Sequence, residues 1–187
     1  NAVKYDQWAN SIATKIVAIS KNVETILIEN EKINKDKITL IHHGFELEKF
    51  KSVDINHINN LRNKYQIKNT EYPIIGVVAR YIKWKGIENT INAFKQILTE
   101  FPKAKLILAN ASGPDEEHIK ALLKELPETN FIEIKFEANL FALYHLFDIY
   151  IHTPTNSKIE AYGQTYVEAL AAGIPSIFTL SGVANEF

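Results

Sequence analysis

From Pro73 onward the chain alternates short runs that are apolar on both faces with stretches whose apolar residues recur at helical spacing. The runs are Pro73–Ala79, Ala104–Ala109, Phe131–Ile134, Asp148–His152 and Ser176–Leu180. Between them Ile87, Ile91, Phe94, Leu98 and Phe101 form one helical stripe, and Ile119, Leu122, Leu123 and Leu126 a second. Leu140, Leu143, Tyr144 and Phe147 form a third, and Gln164 to Ala172 a fourth. Punctuation agrees with this division. Pro102 ends the first helix, Gly113-Pro114 opens the second, Asn139 can cap the third, and Gly173 and Pro175 stop the fourth. A strand that is apolar on both faces belongs to a sheet covered on both sides. Five such strands alternating with helices predict an α/β domain with a doubly wound parallel sheet, whose ligands bind beyond the carboxyl ends of the strands.

The first part of the chain is less regular. Lys15–Ile19 reads as a strand, Ser20 can cap a helix to about Asn30, and Ile38–His42 reads as a second strand ending at His43-Gly44. Phe45 to Asp54 is polar and irregular, and Asp54 can cap a helix running through Tyr65. The irregular stretch is the expected domain boundary. It divides residues 1–50, the tail of a preceding domain and its junction, from 51–187, the α/β domain. The 187 residues include no methionine and begin Asn1-Ala2, so the chain reads as a piece of a longer protein. It has no cysteine, which excludes disulfides, thiolate metal sites and a cysteine nucleophile. A net charge of −1 argues against a bulk electrostatic grip on nucleic acid. No apolar run reaches the roughly 20 residues of a membrane span, and the chain does not start with a signal peptide.

Two loops carry candidate chemistry. Arg80-Tyr81-Ile82-Lys83-Trp84-Lys85-Gly86 joins a buried strand to a helix N-terminus. Arg62 and Arg80 are the only arginines among 21 basic residues. Free N–H groups, the helix dipole and the charges of Arg80 and Lys85 suit a phosphate; the alternative is a solvated basic loop. Neither G-x-G-x-x-G nor a Walker loop is present. The second loop leads from Glu160 through Gly163 to Glu168 on the following helix. A loop carboxylate can accept from sugar hydroxyls, a helix carboxylate can hold both hydroxyls of a ribose, and the N–H groups near Gly163–Thr165 can hold a diphosphate. The alternative is a surface loop acid and a helix-face acid. His42-His43, adjacent in a strand, point apart and favour a junction role over a metal. His145 and His152 read as packing residues. Tyr81 and Trp84 either cover the crevice or pack inward.

These residues resemble the donor half of a retaining family 4 (group 1) glycosyltransferase of the GT-B fold. Glu160-Ala-Tyr-Gly-Gln-Thr-Tyr-Val-Glu168, followed by Ala169-Leu-Ala-Ala-Gly-Ile-Pro175, is similar to its Glu-x7-Glu signature. Val78-Ala-Arg-Tyr-Ile-Lys-Trp-Lys-Gly86 resembles its Gly-Arg-…-Lys-Gly loop, Ser181-Gly-Val-Ala-Asn-Glu186 its Gly-Gly-x-x-Glu turn, and Ile41-His-His-Gly-Phe-Glu46 its junction turn. Ala79 stands where the family has Gly, His43 where it has Asn, Glu46 where it has Asp, and the last turn is one residue longer than its shortest form.

The resemblance implies a Rossmann-like nucleotide-sugar domain in 51–187, one half of a two-domain enzyme. Arg80 and Lys85 would bind the donor diphosphate and stabilise the leaving nucleoside diphosphate. Glu160 would orient the sugar hydroxyls; the backbone of Tyr162, Gly163, Gln164 and Thr165 would contact sugar and phosphates; and Glu168 would hold the ribose. Lys135 and Phe136 would lie at the nucleobase. It implies no cofactor and no metal, with a UDP-, GDP- or ADP-sugar as substrate. The acceptor would be a glycan or lipid-linked sugar in cell-surface polysaccharide or lipopolysaccharide synthesis, at a cytoplasmic location with peripheral contact to the inner membrane. The first 50 residues resemble the tail of the acceptor-side domain, so this piece is expected to bind donor without transferring sugar alone. Two other classes fit less of the pattern: a non-catalytic nucleotide-sugar-binding or regulatory module, and, on fold class only, a nicotinamide-dependent dehydrogenase, against which the missing glycine fingerprint counts.

Overall fold

The computed structural model describes residues 2–186. The chain divides into two compact units. One comprises Asn1–Phe45, Asn156–Gly163 and Leu180–Phe187, the other Glu46–Thr155 and Gln164–Thr179.

The first unit contains α1 (Ala2–Ile12), β1 (Ile16–Ala18), α2 (Lys21–Glu29) and β2 (Ile38–Leu40). β1 and β2 pair in parallel, Ile16 opposite Ile38 and Ala18 opposite Leu40. Ser20 caps α2 as its sequence position suggests, its hydroxyl accepting the Val23 N–H at 3.1 Å. The sequence reading does not anticipate α1. That helix has no acidic first turn and no basic last turn, and its large apolar residues Tyr5, Trp8 and Ile12 are exposed, so neither end signals nor a broad apolar face announce it.

The second unit begins with α3 (Leu47–Lys51) and α4 (Ile55–Lys64) and continues as β3 (Ile74–Val78), α5 (Ile87–Glu100), β4 (Lys105–Ala109), α6 (Glu116–Leu123), β5 (Phe131–Ile134), α7 (Leu140–Tyr144), β6 (Ile149–His152), α8 (Gln164–Ala171) and β7 (Ser176–Phe178). The five strands form one parallel sheet in the order β5-β4-β3-β6-β7. Every residue of β3 and β4 is buried, as runs apolar on both faces require. Alternation along the strands sends Ile74, Val78 and Ile107 into one core layer with Leu61, Leu143, Phe147 and Ala169. Ile75, Val77, Leu106 and Leu108 enter the other with Ile87, Ile91, Phe94, Ile119 and Leu123. Helices α3, α4, α7 and α8 thus cover one face, and α5 and α6 the other.

Two local expectations are corrected. The stretch from Phe45 to Asp54 is not wholly irregular: α3 lies inside it and buries Phe50, whose ring meets Phe141 edge-on at 4.7 Å. A helix of five residues is too short to show periodicity, and tertiary packing holds it. The helix capped by Asn139 stops at Tyr144, before Phe147. The chain tightens there through Leu146 N–H to Leu143 C=O and Phe147 N–H to Tyr144 C=O, both 3.0 Å. That turn delivers the Phe147 ring over Gly76, where a Cβ would lie 2.2 Å from a ring carbon. Glycine sits mid-strand because an aromatic ring occupies its side-chain space. Gly76→Ala is expected to lower stability by about 1–3 kcal/mol through overpacking; urea unfolding with an unchanged midpoint would contradict this contact. Among the described residues no helix is long and apolar enough to cross a membrane.

Candidate functional site

Strand order in the sheet reverses between β3 and β6, which makes the loops after these two strands the walls of a crevice at the carboxyl edge. The two loops are pressed together. Thr155 N–H donates to Trp84 C=O at 2.9 Å, and the Thr153 hydroxyl to Gly86 C=O at 3.2 Å. Gly86 has φ +69°, and a Cβ there would lie 1.9 Å from the Thr153 carbonyl oxygen. A tight turn over Lys83–Lys85 leads into Gly86, which opens α5 with no side-chain cap. The capping residue of this 14-residue helix thus offers its first amides no side-chain acceptor of its own. Just before them in the chain, Lys85 Nζ sits 4.4 Å from the centroid of the Trp84 ring, a cation–π contact. Arg80 is exposed. Tyr81 packs inward: it is fully buried, and its hydroxyl donates to Glu133 at 2.8 Å. Burial first, then the Glu133 carboxylate, push that hydroxyl's pKa far up, so Tyr81 is a neutral structural donor.

The loop after β5 presents Lys135 and Phe136, both exposed, Phe136 at 77%. Behind them lies a residue that sequence reasoning missed. The Glu137 side chain is 6% exposed. It accepts from Lys64 Nζ at 2.6 Å, the Tyr65 hydroxyl at 2.5 Å and the Asn139 N–H at 2.9 Å. Burial acts to raise its pKa, but these donors together outweigh it and bring the carboxyl down to about 2. A lone acid between an exposed loop and a cap carries no sequence signal; its partners Lys64 and Tyr65, at the end of α4, are more than 70 residues away.

Gln164 and Thr165 open α8, with Gln164 exposed. Because α8 runs back against the parallel strands, its N-terminus lies at their carboxyl edge, the edge that also carries Arg80, Lys85, Lys135 and Phe136. One turn in, Glu168 is buried and accepts from the Tyr144 hydroxyl at 2.7 Å. Burial raises its pKa; hydrogen bonds from Tyr144 and Gln164 oppose this. Tyr144 is a further missed partner.

Glu160, Tyr162 and Gly163 belong to the other unit. Glu160 is buried, and its N–H donates to the Ser181 hydroxyl at 3.3 Å. Tyr162 is buried beneath an edge-on His43 ring at 5.0 Å and a stacked Phe45 ring at 5.9 Å. Its carbonyl accepts the Val183 N–H at 2.7 Å. Gly182 takes φ +58°, and a Cβ there would lie 2.4 Å from that same carbonyl, so the turn at 181–183 clasps the loop. His42 Nε2 meets Glu186 at 2.7 Å, whose other oxygen accepts the Lys21 N–H at 2.8 Å. The His42 ring also lies 6.3 Å from that of Tyr162, so both adjacent histidines meet this tyrosine and only His42 is placed against Glu186. Among the described residues, no three His, Asp or Glu side chains gather as a metal site.

The family model for Glycosyl transferases group 1 matches residues 58–187. The chain belongs to that family. It is 28% identical over 182 residues to the alpha-monoglucosyldiacylglycerol synthase of Acholeplasma laidlawii, covering 90% of this chain and 44% of that protein. It is 28% identical over 174 residues to the capsular polysaccharide biosynthesis glycosyltransferase CapM of Staphylococcus aureus, covering 89% and 43%. The chain thus spans about half the length of the curated relatives it matches. Among solved structures, Anabaena Alr3699/HepE in complex with UDP and glucose superposes with a TM-score of 0.84 at 24% identity, over 98% of this chain and 49% of that one. At that identity the likeness speaks for the fold: the five-stranded parallel sheet and its helices match the Rossmann-like architecture of GT-B glycosyltransferases.

Proposed function

We propose that this chain binds the nucleotide-sugar donor of a retaining family 4 glycosyltransferase and belongs to its carboxyl-terminal half. The observation that carries the reading is the Arg80–Gly86 loop: a guanidinium, an ammonium and a helix N-terminus with glycine as its cap, at the switch point of the sheet, in a group 1 chain. In this reading Arg80 and Lys85 bind the diphosphate and neutralise charge as the nucleoside diphosphate leaves. Fixed positive groups aimed at the developing charge lower that barrier without a metal. The departing phosphate then helps to deprotonate the acceptor from the same face. Glu160 orients the sugar hydroxyls, and the backbone from Tyr162 to Thr165 contacts sugar and phosphates. Glu168, aimed by Tyr144, takes the ribose, and Lys135 and Phe136 flank the base. That the Anabaena protein holds UDP and glucose, and that relatives act in glycolipid and capsular polysaccharide synthesis, supports a hexosyl donor and a glycan or lipid-linked acceptor. We place the reaction at the cytoplasmic face of a membrane.

Titration calorimetry with UDP, GDP and ADP tests this. One of them is expected to bind in the micromolar to millimolar range, and a folded chain that takes up none sinks the reading. Arg80→Ala is expected to weaken that binding by about 1–3 kcal/mol, the scale of a charged hydrogen bond. The side chain is exposed, so stability should move by no more than about 0.5 kcal/mol. An unchanged affinity removes Arg80 from the site.

A further inference from the structure

The loop that carries Glu160 is held by side chains that no motif marks. Within the first unit, the Asn22 amide donates twice to its backbone, to Glu160 C=O at 2.6 Å and to Lys158 C=O at 3.1 Å. The fully buried Ser20 hydroxyl accepts the Val23 N–H as the cap of α2 and gives its proton to Ala161 C=O at 2.5 Å. A hydroxyl has one proton and two lone pairs, so this serine caps the helix and binds the loop at once. From the other side the Ser181 hydroxyl receives the Glu160 N–H and donates to Asn156 C=O at 2.9 Å. The carbonyls of Lys158, Glu160 and Ala161 are thereby tied to the first turn of α2. We propose that Asn22 and Ser20 are positioning residues for Glu160, setting selectivity for the sugar of the donor rather than for its nucleotide. The inference rests on the reading that Glu160 faces the donor sugar. Pre-formed placement of a polar group matters because a loosely held one must be ordered at each binding event.

Asn22→Asp is the discriminating variant. It keeps the size of the side chain and sets a carboxylate in the first turn of α2, which favours the helix. It also replaces both amide donors with oxygens facing two carbonyls. Calorimetry with UDP and with UDP-glucose, together with amide hydrogen exchange, reads the result. UDP-glucose affinity is expected to fall roughly tenfold, the scale of one hydrogen bond to a charged or well-ordered group, while UDP affinity stays unchanged. Amides 158–161 should exchange faster while those of β3 and β4 do not. Ser20→Ala should reproduce the pattern and Ser20→Thr restore it. Equal weakening of both ligands would overturn the inference in favour of a purely structural role, and unchanged exchange at 158–161 would overturn the clamp itself. A wild-type chain that binds neither ligand is titrated with GDP, ADP and their glucose conjugates in the same way, and one that takes up none of them overturns the donor reading and with it the role in selectivity, whatever the exchange shows.

Discussion

Gly86→Ala is expected to destabilise the chain by about 3 kcal/mol and to weaken nucleoside diphosphate binding at least about tenfold. Two costs add. A left-handed residue with a Cβ costs roughly 1–2 kcal/mol, and Gly86 sits at φ +69°. Forcing a methyl into a packed site costs roughly 1–3 kcal/mol, and here the Cβ would lie 1.9 Å from the carbonyl oxygen of Thr153. That neighbour is backbone at the end of β6, so it cannot rotate aside. Relief requires the loop after β3 to separate from the loop after β6, stretching the bonds from Thr153 to Gly86 and from Thr155 to Trp84. Lys85 and the mouth of α5 move with it. Urea unfolding and calorimetry with UDP measure the two effects. A loss below about 0.5 kcal/mol, the range of ordinary surface changes, contradicts the close approach of these loops.

Glu137→Gln is expected to cost about 2 kcal/mol at neutral pH and almost nothing near pH 2. A carboxyl lowered from its ordinary 4.5 to about 2 corresponds to roughly 3 kcal/mol of preference for the charged form in the folded state. The Lys64 hydrogen bond is the largest lowering cause, followed by those of the Tyr65 hydroxyl and the Asn139 N–H; Lys64 is half exposed, so water screens its share and the expected cost falls below that figure. Because the folded value lies below the unfolded one, this stability is fully present above about pH 4.5. It is lost as pH falls through the folded value. Wild type should therefore lose its advantage over the variant between about pH 4.5 and pH 2. A constant difference in unfolding free energy across that window would show that the Glu137 charge is not the source. Glu137 ties α4 to the loop bearing Lys135 and Phe136, so the variant also tests whether that loop needs a fixed base.

Local features were legible because their causes are local. Ser20, Asp54 and Asn139 cap the helices that their positions indicate, since a cap is settled within three residues. The apolar runs of β3 and β4 predict strands buried on both faces, and both are. The Arg80–Gly86 loop stands at a strand end because the runs on either side bound it. Other residues were illegible for the same reason reversed. Phe50 is buried by Phe141 and Tyr144, and α1 lacks end signals.

The sequence by itself determined the class of fold, the number of strands in the sheet, and the turn and helix that carry the Glu160 to Glu168 motif. Periodicity and capping depend on neighbours along the chain. Tertiary structure alone decided that β3 stands beside β6, that Tyr81 turns inward to Glu133 while Arg80 turns out, and that Tyr144 meets Glu168. It also decided that Asn22 reaches the carbonyl of Glu160, 138 positions away. These are pairings between distant segments. They exist only once the sheet and the turns have brought the backbone within a few ångströms, and no spacing along the chain encodes which donor will find which acceptor.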